Sequence, residues 1–151
     1  MSEPVCREGI ELARVRLPVS ATSPRASRDL IGIVAAQWGL PDELCFAARL
    51  AVCELVTNTL LHCAGMPGST VLLIVGRHGP MFRVEVHDGS GGSPRIRHPG
   101  DTEETGRGLM LVSGMTDECG HHPTAFGKAV WFGIRTYWPL DHSARHSSGQ
   151  S

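Results

Sequence analysis

The sequence lacks the features that mark membrane-spanning, secreted or strongly charged proteins. No uninterrupted apolar stretch reaches the roughly 18–20 residues that a transmembrane helix needs. The N-terminal stretch has no basic start followed by an apolar run, so we expect no signal peptide. The 14 Lys plus Arg residues nearly balance the 15 Asp plus Glu residues. This balance argues against direct nucleic-acid or membrane-surface partners.

Paired cysteine motifs are also missing. The five cysteines contain no CxxC pair, and without a secretory signal they are expected to be reduced thiols in a cytoplasmic protein. A zinc site could be drawn from Cys119, His121 and His122 with Cys63 or His62, but this spacing fits no standard pattern. Adjacent histidines on a strand also point to opposite faces. We therefore favour core or inert thiols over a metal site.

Hydrophobic periodicity predicts two helices followed by two strands. The first helix starts near Pro24 and is closed by Gly39, with Ile33 on its apolar side. The second runs from Asp42 to about Cys63. One strand, at 11–17, precedes these helices. After them we expect a strand at 70–77 that is covered on both faces and a strand at 81–88 whose polar side should face water or a ligand. A helix at 108–119 and a strand at 128–137, paired with 118–121, complete the order.

The order of these elements predicts the fold class. Two adjacent strands joined by a tight turn favour a mixed, largely antiparallel sheet, and helices on one face complete a two-layer α+β sandwich. We expect residues 1–140 to form this single domain. The polar residues 141–151 are expected to be a disordered tail.

Three polar residues interrupt the second helix at steps of four. In ELVTNTLLHC, Glu54, Asn58 and His62 each turn only about 40° from the last. They form a narrow polar stripe flanked by apolar residues, including Leu50 and Leu61, in what we expect to be a largely buried helix. A solvent-facing stripe is the simpler reading, but a carboxylate in such surroundings is costly without a partner or ligand.

Two glycine-rich turns follow. HDGSGGSP places Asp88 where a strand ends, and an acid there can accept a hydrogen bond from a ligand amino group. TGRGL, which begins at Thr105, leads from the long loop at 89–106 into a helix and suits an anion such as phosphate. Taken singly, these segments are better explained as an ordinary Asp-Gly turn and an ordinary helix entry.

In this order the three motifs resemble those of the GHKL (Bergerat) ATP-binding fold, over about residues 20–136. ELVTNTLLH is similar to its N box, VEVHDGSGG to its first glycine box and TGRGLMLV to its second. Together with GKAVWF, they resemble the bacterial anti-sigma-factor serine/threonine kinases. The length also fits this subclass, because the chain has no room for the dimerisation helices of a histidine kinase.

The resemblance implies a role for each matching residue. Glu54 would be the general base, Asn58 would ligate Mg²⁺ between the phosphates of ATP, and Asp88 would receive the adenine amino group. The first glycine box departs from the D-x-G-x-G pattern because Ser90 stands at its first glycine position. The other implied nucleotide-binding positions are His62, Ser90, Gly92, Thr105, Gly106, Arg107, Gly108 and Leu109.

The implied activity is transfer of phosphate from Mg-ATP to a serine or threonine of a small anti-anti-sigma-type protein. A sigma factor would be a second protein partner, and a homodimer is an open alternative. A nucleotide-dependent binding module without transfer and a simple ATPase are the competing hypotheses. Glu54 favours the kinase, because a pure binder needs Asn58 and the glycines but no base.

Overall fold

Five strands, two long helices and a short helical segment at 112–115 make up the regular structure of the described residues. The computed structural model describes residues 9–63, 69–88, 112–125 and 127–138, apart from the His62 side chain. The elements are β1 (Ile10–Pro18), α1 (Ser23–Gln37), α2 (Asp42–Cys63), β2 (Thr70–His78), β3 (Met81–Asp88), β4 (Glu118–Thr124) and β5 (Gly127–Arg135). The predicted tail at 141–151 lies outside these residues, so the domain division stays a prediction.

The strands form one sheet in the order β1-β2-β3-β5-β4. Every pairing between these strands is antiparallel. Both helices pack on one face, where the core lies between α2 and the central strands β3 and β5. The predicted two-layer α+β sandwich is confirmed. β1 and β4 are its outer strands, and β4 contains Pro123.

Helix α1 ends as predicted, but its buried side was partly misassigned. Gly39 adopts φ 66°, a left-handed conformation that closes the helix at low cost. Ile33 is 56% exposed, whereas Ile31 is fully buried. The buried row also includes Ser23 and Ser27. Their hydroxyls donate to backbone carbonyls that lie five and three positions earlier in the chain, respectively. Because these bonds satisfy the serine hydroxyls, small polar residues occupy core positions that a hydrophobic pattern does not mark.

Helix α2 has the predicted bounds and supplies much of the core. Val52, Leu55 and Val56 are almost completely buried. Leu50 and Leu61, expected to be largely buried, are 41% and 59% exposed because they lie on the side of the helix away from the sheet. From Asp42 to Leu61 the helix is long and apolar enough, by length and composition alone, to cross a membrane. A core helix passes the same test, and this helix packs its buried side against the sheet.

The polar side of β3 is largely buried, which corrects the part of the expectation that placed it against water; the alternative of a ligand stays a prediction. Glu85 and His87 are each 6% exposed. Arg83 Nε donates to Glu85 Oε2 at 3.0 Å, and His87 Nε2 lies 2.9 Å from Glu85 Oε1. Trp131, the cross-strand neighbour of Glu85, lies under the Arg83 guanidinium at 3.8 Å. These mutual contacts let the polar residues leave solvent, which simple alternation along a strand does not predict.

This network makes the stability of the fold depend on pH. Burial acts to raise the pKa of Glu85, but the hydrogen bonds from His87 and Arg83 and their charges outweigh it and hold the pKa below its ordinary 4.5. The ionised carboxylate therefore stabilises the fold above about pH 4.5, and this contribution is lost as the pH falls through the lowered folded-state pKa.

We expect Glu85→Gln to lower the free energy of unfolding by an amount on the order of 1 kcal/mol at pH 7. Urea unfolding of both proteins between pH 7 and pH 3 measures the difference. It should shrink as the pH falls below about 4.5. A difference that stays constant across this range would show that the Glu85 charge does not contribute.

The predicted third helix is shorter at its C-terminal end than the sequence suggested. Residues 112–115 are helical, whereas Glu118 and Cys119 belong to β4; residues 108–111 lie outside the described residues. The Asp117 backbone N–H donates to the Gly133 carbonyl, and the Asp117 carboxylate accepts from the Arg135 backbone N–H. These bonds direct the chain into the β4–β5 hairpin. The predicted pairing of this segment with the last strand is confirmed.

Candidate functional site

Helix α2 carries Glu54 and Asn58 at the boundary between its buried and exposed sides. Both side chains are partly exposed, while Leu55 and Thr59, each one position further along, are buried. Among the described residues, none forms a hydrogen bond or ion pair with Glu54 or Asn58. Two members of the predicted polar stripe, Glu54 and Asn58, therefore lie on an accessible edge of the helix. A carboxylate and an amide are available there one turn apart.

Asp88 is the last residue of β3 and is only 4% exposed. Cys63, the last residue of α2, is fully buried and its Sγ donates to Asp88 Oδ1 at 3.3 Å. This contact brings the C-terminal ends of α2 and β3 together. The carboxylate thus lies at the end of a central strand, as the sequence predicted, and in contact with the helix that carries Glu54.

The start of β5 closes against Asp88. A Cβ atom placed on Gly127 would lie 2.8 Å from the Asp88 carbonyl oxygen and 3.2 Å from its carboxyl carbon. The approach to the backbone carbonyl is too close for a side-chain carbon, so glycine lets the strand pass here without a shift of the backbone. Gly127 and Cys63 were not predicted to contact Asp88. The GKAV segment was the one available signal for Gly127.

Asn58 and Glu54, together with the Cys63–Asp88 contact, define an elongated site along α2. With a rise of about 1.5 Å per residue, Asn58 lies about 7.5 Å and Glu54 about 13.5 Å before Cys63 along the helix axis. Cys63 faces the sheet, whereas Asn58 and Glu54 lie towards the helix edge. This arrangement suits a long ligand with a hydrogen-bond donor at its Asp88 end. Further along α2, Asn58 offers an amide oxygen that can bind a metal ion, and Glu54 offers a carboxylate that can act as a base.

The rest of the predicted site lies outside the described residues. This holds for the His62 side chain, although its backbone is helical in α2. Val112, just after the second glycine turn, is fully buried in the core. The predicted site residues outside the described ranges are Ser90, Gly92, Thr105, Gly106, Arg107, Gly108 and Leu109.

Within the described ranges, no group of three or more His, Cys, Asp or Glu side chains is placed to hold a metal ion. His121 and His122 are exposed on the outer strand β4, where successive side chains alternate between faces. Cys63 is buried beside Asp88 and does not join them. The described residues thus give no support to the zinc alternative.

Comparison with known proteins matches residues 17–134 to the family described as "Histidine kinase-like ATPase domain". No curated protein matches the chain. Among solved structures, the chain is similar to the crystal structure of the RsbU and RsbW domains of Rv1364c from Mycobacterium tuberculosis, with a TM-score of 0.62 and 17% sequence identity. The similarity covers 82% of this chain and 32% of that one, so this chain spans about a third of its length.

At 17% identity the structural similarity shows a shared fold and no more. The family match is more specific, because it extends from the end of β1 to the end of β5. It thereby includes both helices and the strand end that carries Asp88. With most of its length matched, this chain belongs to the histidine kinase-like ATPase domain family.

Proposed function

We propose that the chain is an ATP-dependent serine/threonine protein kinase of the cytoplasm. Its substrate would be a small regulatory protein of the anti-anti-sigma type, and its phosphorylation would control the availability of a sigma factor. The observation that carries this proposal is the partly exposed Glu54 carboxylate, one turn from Asn58 and without a bonding partner among the described residues. Nucleotide binding alone does not need a base at this position.

The Asp88 end of the site supports recognition of adenine. Asp88 is buried at the end of β3, and β5 passes so close to it that a side-chain carbon at Gly127 would crowd the Asp88 backbone carbonyl. A carboxylate accepts a hydrogen bond from the adenine amino group, which guanine lacks at that position. By resemblance, we assign the phosphate contacts to Gly106, Arg107 and Gly108, with Leu109 at the start of the helix behind them. Ser90 and Gly92 belong to the first glycine box, whose backbone would approach adenine. Thr105 would end the segment at 94–105 that would cover the nucleotide, and His62 would lie near that segment.

Asn58 fits the way in which proteins hold Mg²⁺. The ion prefers oxygen ligands and retains several waters, so one protein ligand together with substrate phosphates is a common arrangement. Asn58 offers an amide oxygen on the accessible edge of α2. When bound, Mg²⁺ would neutralise charge on the phosphates.

Glu54 would take the proton from the attacking serine or threonine hydroxyl. The new bond joins the hydroxyl oxygen to the γ-phosphorus, and the bond from that phosphorus to ADP breaks. Because α2 is anchored by Val52, Leu55 and Val56 in the core, the carboxylate is presented from a rigid element. Fixed positioning of the reacting groups supplies much of the expected rate enhancement.

Phosphate transfer can be tested directly. The purified chain is incubated with Mg²⁺, γ-labelled ATP and an anti-anti-sigma-type protein from the same cell. The expected result is label on a serine or threonine of that protein. ATP-dependent capture of the protein without label would favour a nucleotide-dependent binding module instead. Absence of ATP binding by calorimetry would overturn the proposed function altogether.

A further inference from the structure

The thiol of Cys63 is the structural partner of the carboxylate assigned to adenine. Its Sγ lies 3.3 Å from Asp88 Oδ1, and both residues are buried. The two residues are separated by 25 positions, so the contact joins the end of α2 to the end of β3. A buried cysteine often serves only as a small apolar residue. Here the thiol also has a hydrogen-bonding role.

The Cys63 thiol and the start of β5 both lie close to Asp88. The thiol donates to one carboxylate oxygen, and β5 passes so near that a side-chain carbon at Gly127 would lie 3.2 Å from the carboxyl carbon. A carboxylate has about four lone-pair sites, so the thiol bond is compatible with a further bond to a ligand. Holding one oxygen fixes the plane in which the carboxylate can receive such a donor. A pre-oriented acceptor binds its ligand with less loss of side-chain freedom.

We propose that Cys63 is a positioning residue that orients Asp88 and thereby sets selectivity for a purine with the amino group at the position found in adenine. The inference rests on the proposed function, in which Asp88 receives that amino group. Cys63 acts through Asp88 rather than on the nucleotide itself. A thiol that only fills space would affect stability and would not discriminate between purines that differ in this one group.

The test compares ATP with purine riboside triphosphate, which lacks the amino group, by calorimetry. Cys63→Ala removes the donor and is expected to weaken the binding of ATP about threefold, as for loss of one weak hydrogen bond. Affinity for the analogue should not change, so the ratio of the two affinities falls by the same factor. Cys63→Ser retains a donor and should retain the wild-type ratio. Cys53→Ala, at a partly exposed thiol of the same helix, is the matched control.

The positioning role would be overturned if Cys63→Ala weakened the binding of ATP and of the analogue equally, or if the ratio of the two affinities did not change. Should the alanine variant fail to fold, Cys63→Val fills the space without a donor and gives the same comparison. A wild-type ratio in the valine variant would likewise overturn it. Binding of ATP by the wild type, and its weakening by Asp88→Asn, test the proposed function separately. If both hold while the Cys63 variants keep the ratio, only the positioning role fails.

Discussion

Replacement of Glu54 by alanine is expected to abolish phosphate transfer while ATP binding is retained. General-base catalysis contributes roughly 100- to 10,000-fold to a rate, so we expect transfer to fall at least about 100-fold, or about 2.7 kcal/mol of activation free energy. ATP affinity should be unchanged, because the base acts on the attacking hydroxyl and not on the nucleotide. Single-turnover transfer of labelled phosphate and calorimetry with ATP measure the two quantities.

Two further variants make the Glu54 result specific. Glu54→Gln keeps the shape of the side chain and removes its basicity, so it should resemble the alanine variant. Glu43→Ala removes an exposed carboxylate from the first turn of the same helix and should transfer at the wild-type rate. Unchanged transfer in both Glu54 variants would remove this residue from the mechanism. The nucleotide-dependent binding module would then be the better account.

Replacement of Asp88 by asparagine is expected to weaken ATP binding at least tenfold, or about 1.4 kcal/mol. The substitution preserves size and leaves an amide oxygen that can still accept from Cys63, so the local fold should persist. It replaces an ionised acceptor with a neutral group that is half donor, and hydrogen bonds to charged groups are the stronger ones. Calorimetric titration with ATP and with purine riboside triphosphate separates loss of the amino contact from general damage.

Asp117→Asn provides a matched carboxylate-to-amide control. Asp117 accepts a hydrogen bond from the Arg135 backbone N–H at the entry to β4, and an amide oxygen can still do so. We expect its ATP affinity to equal that of the wild type. Equal affinity in the Asp88 variant would exclude Asp88 as the adenine acceptor and would count against the proposed pocket.

The regular part of the fold was predictable because local pattern and burial agree there. Residues 81–88 form β3 as predicted, and α2 ends at Cys63. The errors arise where hydrogen bonding overrides hydrophobic pattern. Ser27 is buried because its hydroxyl bonds to the backbone, and Glu85 is buried because Arg83 and His87 satisfy it. Side-chain partners of this kind are set by the tertiary structure and not by periodicity.

The candidate site was predictable only as separate segments. Glu54 and Asn58 lie on one helix edge and Asp88 ends its strand, as their spacing indicated. The contacts of Asp88 with Cys63 and Gly127 join residues that are distant along the chain, so no local pattern contains them. The roles of these residues, and of the glycine turns, stay predictions.

The two outer strands of the described sheet bear on how easily another chain could add a strand to it. An unpaired strand edge invites another chain to add itself to the sheet, which leads to aggregation. β4 contains Pro123, which has no N–H to offer an added strand, and its exposed residues also include Glu118, His121 and His122. β1 carries the charged pair Glu11 and Arg14, 2.8 Å apart. Within the described part of the chain, these edges therefore disfavour the addition of strands from other molecules to the antiparallel sheet.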